Sequence, residues 1–245
     1  MPDALKELTP CYWGVITHET KQYIVMEDLS YYQNMNMIET PNVWTYNNLL
    51  QAMADFNSVA PAHNPPYIAA IRQFAALMPN TPLIGSFETA FHANMPPEAY
   101  LYPIPLELSR EHAIRRYGFH GTSHDFVSKR TAEFLGMDLD NSKIIVAHLG
   151  GGASISAVLN GKCVDTSMGL TPLAGIPMGS RSGDLDPSVV TFIMKKEGLK
   201  PEEMDMILNK ESGLYGLSGV APYVRDVEAE AANGNERAAL ALKAY

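Results

Sequence analysis

The chain has 245 residues, 46% hydrophobic and 18% charged, with a formal net charge of -9. That is a globular composition, long enough for one large domain or two small ones. Its acidic surface would repel a phosphate backbone, which argues against nucleic acid as a partner, and no run of about 18 apolar residues is present to span a membrane.

The N-terminus, MPDALKELTP, has no basic region leading into an apolar one, so no signal peptide is read. Cys11 and Cys163 are far apart and outside any metal-ligand spacing, and a reducing cytoplasm is the simplest expectation. Residues 1–45 carry many tyrosines, methionines and asparagines with little periodicity. TYNNLLQAMADF then reads as a helix with Thr45 as its cap, SVAPAHNPPY as a proline-rich turn, and Ile68 to Met78 as a second helix. TPLIGSF reads as a short strand and EAYLYPIPLELSREHAIRRYG as a proline-interrupted connector, which places a domain boundary near residues 105–115.

The second half is more regular. KIIVAHLG is an apolar strand ending in glycines, ASISAVL alternates in the strand manner, and KCVDTSM follows the two-residue hairpin signal Asn160-Gly161. Residues 143–168 are therefore expected to form an antiparallel meander of three strands. Asp186-Pro187 supplies a cap and a first-turn proline for a helix through VVTFIMKKE that stops at Gly198. PEEMDMILNKE, RDVEAEAANG and ERAALALKAY add helical segments. Strands followed by helices, with helical connections before them, indicate an α/β fold.

Four segments could carry chemistry. In His148-Leu149-Gly150-Gly151-Gly152, a strand runs into three glycines whose backbone N–H groups can approach an anion; a plain flexible turn is the alternative. The segment from Arg115 to His124 gathers two arginines, two histidines and two hydroxyl residues that can bond phosphoryl oxygens; Ser123 could also cap the helix that DFVSKRTAEFLG suggests. Arg181 lies between glycines on what reads as a flexible loop, from which an arginine can reach a transferring phosphoryl group, or else pair with Asp184 or Asp186. Glu88, just past a short strand and four residues before His92, reads from this fragment alone as a solvated carboxylate beside a surface histidine.

YGFHGTSH, VAHLGGGASISAV, NGKCVDTSMGLTPL and MGSRSGDLDP occur in that order and strongly resemble the acetate/propionate kinases over residues 46–245. The resemblance implies the actin/Hsp70/sugar-kinase-like (ribonuclease H-like) ATPase fold, two related α/β domains around a cleft. Here the pair would be incomplete: residues 1–45 match poorly, residues 46–110 are the rest of the first domain, and residues 111–245 form a second domain lacking its C-terminal part. It further implies transfer of the γ-phosphoryl group of ATP to acetate or propionate with Mg2+, and commonly a homodimer.

By the same resemblance, Glu88, His120 and Arg181 would be catalytic, His120 bonding the phosphoryl group in flight and Arg181 its equatorial oxygens. His148, Leu149, Gly150, Gly151 and Gly152 would hold nucleotide phosphates and Arg225 the adenosine. Ala62, Phe119 and Pro172 would line the acyl pocket, and no protein metal ligand is assigned. Glu88 replaces the usual Asp and Gly151 an Asn, Tyr223 stands where an Asp is usual, and Ala62 stands where a Leu is common, which widens the acyl pocket in expectation. The family's Asn-x-Gly-Ser-Ser-Ser loop, its His-Gly-Gly-Glu arginine segment and its Gly-Gly-Ile-Gly-Glu-Asn segment are not read in this sequence, so the chain looks truncated at both ends. A catalytically impaired phosphate- or nucleotide-binding remnant of such a kinase is the alternative.

Overall fold

The computed structural model describes residues 14–18, 21–26, 46–57, 64–80 and 84–245. The chain divides into two units, Met1–Arg115 and Arg116–Tyr245. Thr45 and Ala62 fall outside the described residues.

In the first unit, β1 (Gly14–His18) pairs antiparallel with β2 (Lys21–Met26), and β3 (Ile84–Ser86) joins β2 in parallel. The hairpin lies in a stretch where no periodicity is evident. Its β-branched run Val15-Ile16-Thr17 and the pair Ile24-Val25 suit a strand nonetheless. Helix α1 (Tyr46–Asp55) contributes Leu50 and Met53, and α2 (Asn64–Leu77) contributes Ile68, to a buried cluster on which Phe87 also packs. Helix α2 starts at Asn64, earlier than the periodicity predicts. Pro65 and Pro66 occupy its first turn, where a missing N–H costs nothing, and Asn64 Nδ2 donates to Met53 O at 3.0 Å. The proline-rich connector holds two short helices, α3 (Pro97–Tyr100) and α4 (Leu106–Glu111).

The second unit opens with α5 (Gly121–Leu135). It ends at Gly136, whose left-handed backbone (φ 63°) turns its N–H onto Ala132 O and Glu133 O. Strands β4 (Lys143–Leu149), β5 (Ala153–Leu159) and β6 (Lys162–Thr166) form the antiparallel meander expected from residues 143–168. Its second turn has Asn160 at φ 52° and Gly161 at φ 73°, the doubly left-handed turn that matches strand twist. Ile144 and Val146 face the core while Ile145 and Leu149 are exposed, so one face of the sheet is covered.

Cys163, on β6, is buried, its thiol donating to Asp165 O at 3.3 Å. Burial pushes that thiol up to about 12.

Helix α6 (Pro187–Glu197) begins as the sequence predicts: Asp186 Oδ1 accepts from Ser188 N at 2.8 Å, a cap worth about 1 kcal/mol. It stops at Gly198, and α7 (Pro201–Lys210) follows. A short α8 (Gly213–Ser218), α9 (Val224–Ala232) and α10 (Glu236–Ala244) complete the unit. Leu214, Val227, Ala238 and Ala241 form the core of this helical end. Among the described residues no helix is long and apolar enough to cross a membrane.

Candidate active site

The site grows from the junction of α5 with β4 and β5. His120 is the residue before α5 and adopts a left-handed backbone, φ 61° and ψ 21°. That conformation costs a non-glycine residue about 1 kcal/mol and is a feature of functional positions. Its ring stacks on His148, centroids 4.0 Å apart and planes 21° from parallel. His120 Nδ1 lies 2.8 Å from Ser154 Oγ, and His148 Nδ1 lies 2.9 Å from Ser123 Oγ. His124, one turn further along α5 and fully buried, places Nε2 2.7 Å from the same Ser154 Oγ. Ser123 therefore sits in the first turn of α5 holding His148; it is not the cap, and α5 has no side-chain cap bond.

The turn between β4 and β5 is tight. Gly150 N donates to Gly152 O at 3.0 Å, which spends one of its N–H groups internally. The glycines are not needed for left-handed backbone, since none of the three has positive φ. Gly152 is needed for close approach: a Cβ there would stand 3.3 Å from Arg181 Nη1 and 3.5 Å from His120 Nε2. One point above this glycine is thus flanked by a guanidinium and an imidazole. A Cβ on Gly151 would meet nothing, so the tip of the turn is open. Leu149, at the end of β4, is exposed.

Arg181 does not ride on a flexible loop. Met178 N donates to Arg181 O, Ser212 N to Ser180 O, Ser182 N to Leu208 O, and Leu214 N to Met178 O, all within 3.1 Å. Residues 178–182 are therefore clamped by α7, the Ser212 turn and α8. The guanidinium pairs with neither Asp184 nor Asp186: Asp184 Oδ1 accepts from Gly175 N, and Asp186 caps α6. Arg181 Nη1 instead donates to Pro172 O at 3.1 Å. Burial lowers the guanidinium from its ordinary value by desolvation, and arginine remains a cation at any working pH. Phe119 packs half-buried against the Ala153, Met168 and Met178 cluster directly beneath.

The structure therefore brings together Phe119, His120, His148, Gly152, Pro172 and Arg181. One expected residue of the second unit is not joined to them. Arg225, on the first turn of α9, is exposed and pairs with Asp226 at 3.0 Å; no hydrogen bond or ion pair among the described residues links it to His120, His148 or Arg181. Glu88 is exposed in the first unit. His92 is fully buried, contrary to the surface reading, and its carbonyl accepts from Arg115 Nη2. Arg115 is itself buried, 4.0 Å over the Tyr100 ring, and Arg116 is taken up by Asp165 Oδ1 and Thr166 O. These two arginines are structural.

Ser154 escaped the sequence reading as a site residue, and His124 entered it only as one of the two histidines of the Arg115–His124 segment. Their signals were present: His124 follows His120 by one helical turn, and Ser154 is the cross-strand partner of His148.

An open glycine turn, two stacked imidazoles and a preorganised guanidinium thus lie together, a donor set whose chemistry suits a multiply charged anion. Among the described residues no group of three or more His, Cys, Asp or Glu side chains could hold a metal ion.

The acetokinase family model matches residues 36–245, and the chain belongs to that family. The match starts earlier than the residue 46 marked by the motifs. The acetate kinase of Agathobacter rectalis is 58% identical over 197 residues, covering 80% of this chain and 50% of that protein. The acetate kinase of Caldanaerobacter subterraneus subsp. tengcongensis is 52% identical over 207 residues, covering 84% of this chain and 52% of that protein. The crystal structure of Porphyromonas gingivalis acetate kinase matches with a TM-score of 0.77 at 44% identity, covering 82% of this chain and 50% of that one. A propionate kinase from Francisella tularensis matches with a TM-score of 0.77 at 44% identity, covering 82% and 52%. The fold is thus of the actin/Hsp70/sugar-kinase-like type, with an incomplete pair of domains. The chain spans about half the length of the curated relatives it matches.

Proposed function

We propose that the chain acts in phosphoryl transfer from ATP to a short-chain carboxylate, acetate or propionate, giving an acyl phosphate and ADP. The observation that carries this reading is the point above Gly152, flanked by Arg181 and His120 with His148 stacked behind. A phosphoryl group in direct in-line transfer spreads negative charge over three equatorial oxygens, and catalysis is mostly positioning and charge neutralisation. Arg181 and His120 meet those oxygens, while His148 and the turn from Leu149 to Gly152 hold nucleotide phosphates. Phe119 and Pro172 bound the acyl group. Glu88 belongs to the catalytic set, and Arg225 lies by the adenosine. Mg2+ would neutralise phosphate charge, and no ligand cluster for it stands among the described residues.

A coupled assay for acyl phosphate with acetate, propionate and butyrate tests the proposal. ATP-dependent product is the expected result, with turnover extending beyond acetate if Ala62 widens the pocket. Absence of product at high protein and Mg2+ concentration would sink it. A second reading is a phosphate- or nucleotide-binding unit without turnover, since an open glycine turn beside two imidazoles and a guanidinium can hold an anion whether or not transfer follows. Calorimetric binding of ADP with no product would support that one.

A further inference from the structure

We propose that Ser154 is a positioning residue that sets the tautomer of His120: its hydroxyl donates to His120 Nδ1 while accepting from His124 Nε2–H. His120 then presents Nε2–H to the anion above Gly152. This rests on the phosphoryl-site reading given above and goes beyond it, because it names the proton that His120 offers the anion.

Ser154 is fully buried on β5, with ring nitrogens of His120 and His124 at 2.8 and 2.7 Å from its oxygen. A hydroxyl has one proton and two lone pairs. It can therefore donate to only one of the two rings, and the other ring must donate to it.

A neutral imidazole carries one N–H, so whichever role Nδ1 takes decides what Nε2 offers. His120 Nε2 is the nitrogen that faces the space over Gly152, beside Arg181 Nη1. Were Nδ1 the protonated nitrogen, Nε2 would turn a lone pair toward the anion, which is repulsive. With Ser154 donating to Nδ1, the proton sits on Nε2, and a neutral ring joins Arg181 as a donor to the same oxygens. His124 is suited to hold the serine in that role. It is fully buried one helical turn from His120, and its Nε2–H occupies a serine lone pair so that the serine proton is left for His120. Ser123 stands in the same relation to His148 Nδ1 at 2.9 Å, so each of the two stacked rings has a serine on its Nδ1.

The test is nitrogen-15 NMR of histidine-labelled protein at pH 8, above the ordinary imidazole value of about 6.5. Long-range proton–nitrogen spectra, assigned with His120→Gln and His124→Gln, report the tautomer of each ring without any turnover. His120 is expected as the Nε2–H tautomer in the unsubstituted protein. Ser154→Ala should give a mixture of both tautomers, and Ser154→Thr, which keeps the hydroxyl, should restore the single form. Binding of inorganic phosphate, followed by calorimetry, should weaken about tenfold in Ser154→Ala. His120 found as Nδ1–H in the unsubstituted protein overturns the proposal whatever the variants do. An unchanged tautomer in a folded Ser154→Ala overturns it equally. Neither result touches the phosphoryl-transfer reading, which fails separately if phosphate and ADP do not bind while His120 carries its proton on Nε2.

Discussion

Gly213→Ala is expected to cost about 4 kcal/mol or more of stability, a loss at the far end of what single substitutions do. Gly213 opens α8 with a left-handed backbone, φ 60°. Alanine pays about 1 kcal/mol for that conformation alone. The larger cost is steric: a Cβ would stand 2.0 Å from Met178 O and 2.6 Å from Arg181 O. Both are backbone atoms, so no side-chain rotation relieves the overlap. Either residues 178–182 shift, breaking the Leu214 N to Met178 O bond at 3.0 Å, or α8 moves and draws Leu214 out of its buried cluster. Gly198→Ala serves as the control, because Gly198 has φ 70° with nothing within 4 Å of a Cβ, which isolates the conformational part. Urea denaturation followed by circular dichroism measures both. A Gly213→Ala loss no larger than that of Gly198→Ala would refute the clamp.

Arg181→Ala is expected to lower acyl-phosphate formation by about 10²-fold to 10³-fold or more, the range seen when a preorganised donor to transition-state charge is removed. Inorganic phosphate binding should weaken with it. The fold should survive, because the loop is held by backbone bonds such as Ser212 N to Ser180 O at 3.1 Å and not by the guanidinium. Arg181→Lys should recover only part of the rate: it keeps the charge but loses the planar fork that donates to Pro172 O while facing the anion. Rates for Arg181→Ala within threefold of the unsubstituted protein would remove Arg181 from the proposed role, and circular dichroism on the same sample excludes unfolding as the cause.

Much of the second unit was legible because its determinants are local. Asn160-Gly161 and the alternation of β5 specify the meander within about 25 residues, and Asp186-Pro187 starts α6 by bonds that span two positions. His120, His148 and Arg181, which lie together in the structure, were legible as candidates because they stand inside distinctive runs. Their mechanical setting was not. Residues 178–182 look flexible from Gly179 and Gly183, yet their rigidity comes from partners near residue 210, as in Ser180 Oγ to Asn209 O at 3.0 Å. Arg115 and Arg116 look like anion ligands in sequence, but they serve Tyr100, His92, Asp165 and Thr166 through contacts far along the chain. The roles of Ser123 and Ser154 depend on which ring nitrogen each hydroxyl meets, and only the placement of α5 against β4 and β5 decides that.

The burial of Cys163 has a consequence for measuring this protein. Alkylating reagents attack a thiolate, and a buried thiol pushed up to about 12 supplies almost none. Modification must wait until β6 lifts from β5, so its rate counts openings of the meander. An anion that binds only the closed form over Gly152 lengthens that wait by a factor of one plus its free concentration divided by its Kd. Mass measurement of the peptide carrying Cys163 then ranks phosphate, nucleotides and acyl phosphates by how long each keeps the sheet shut, with no reaction to follow.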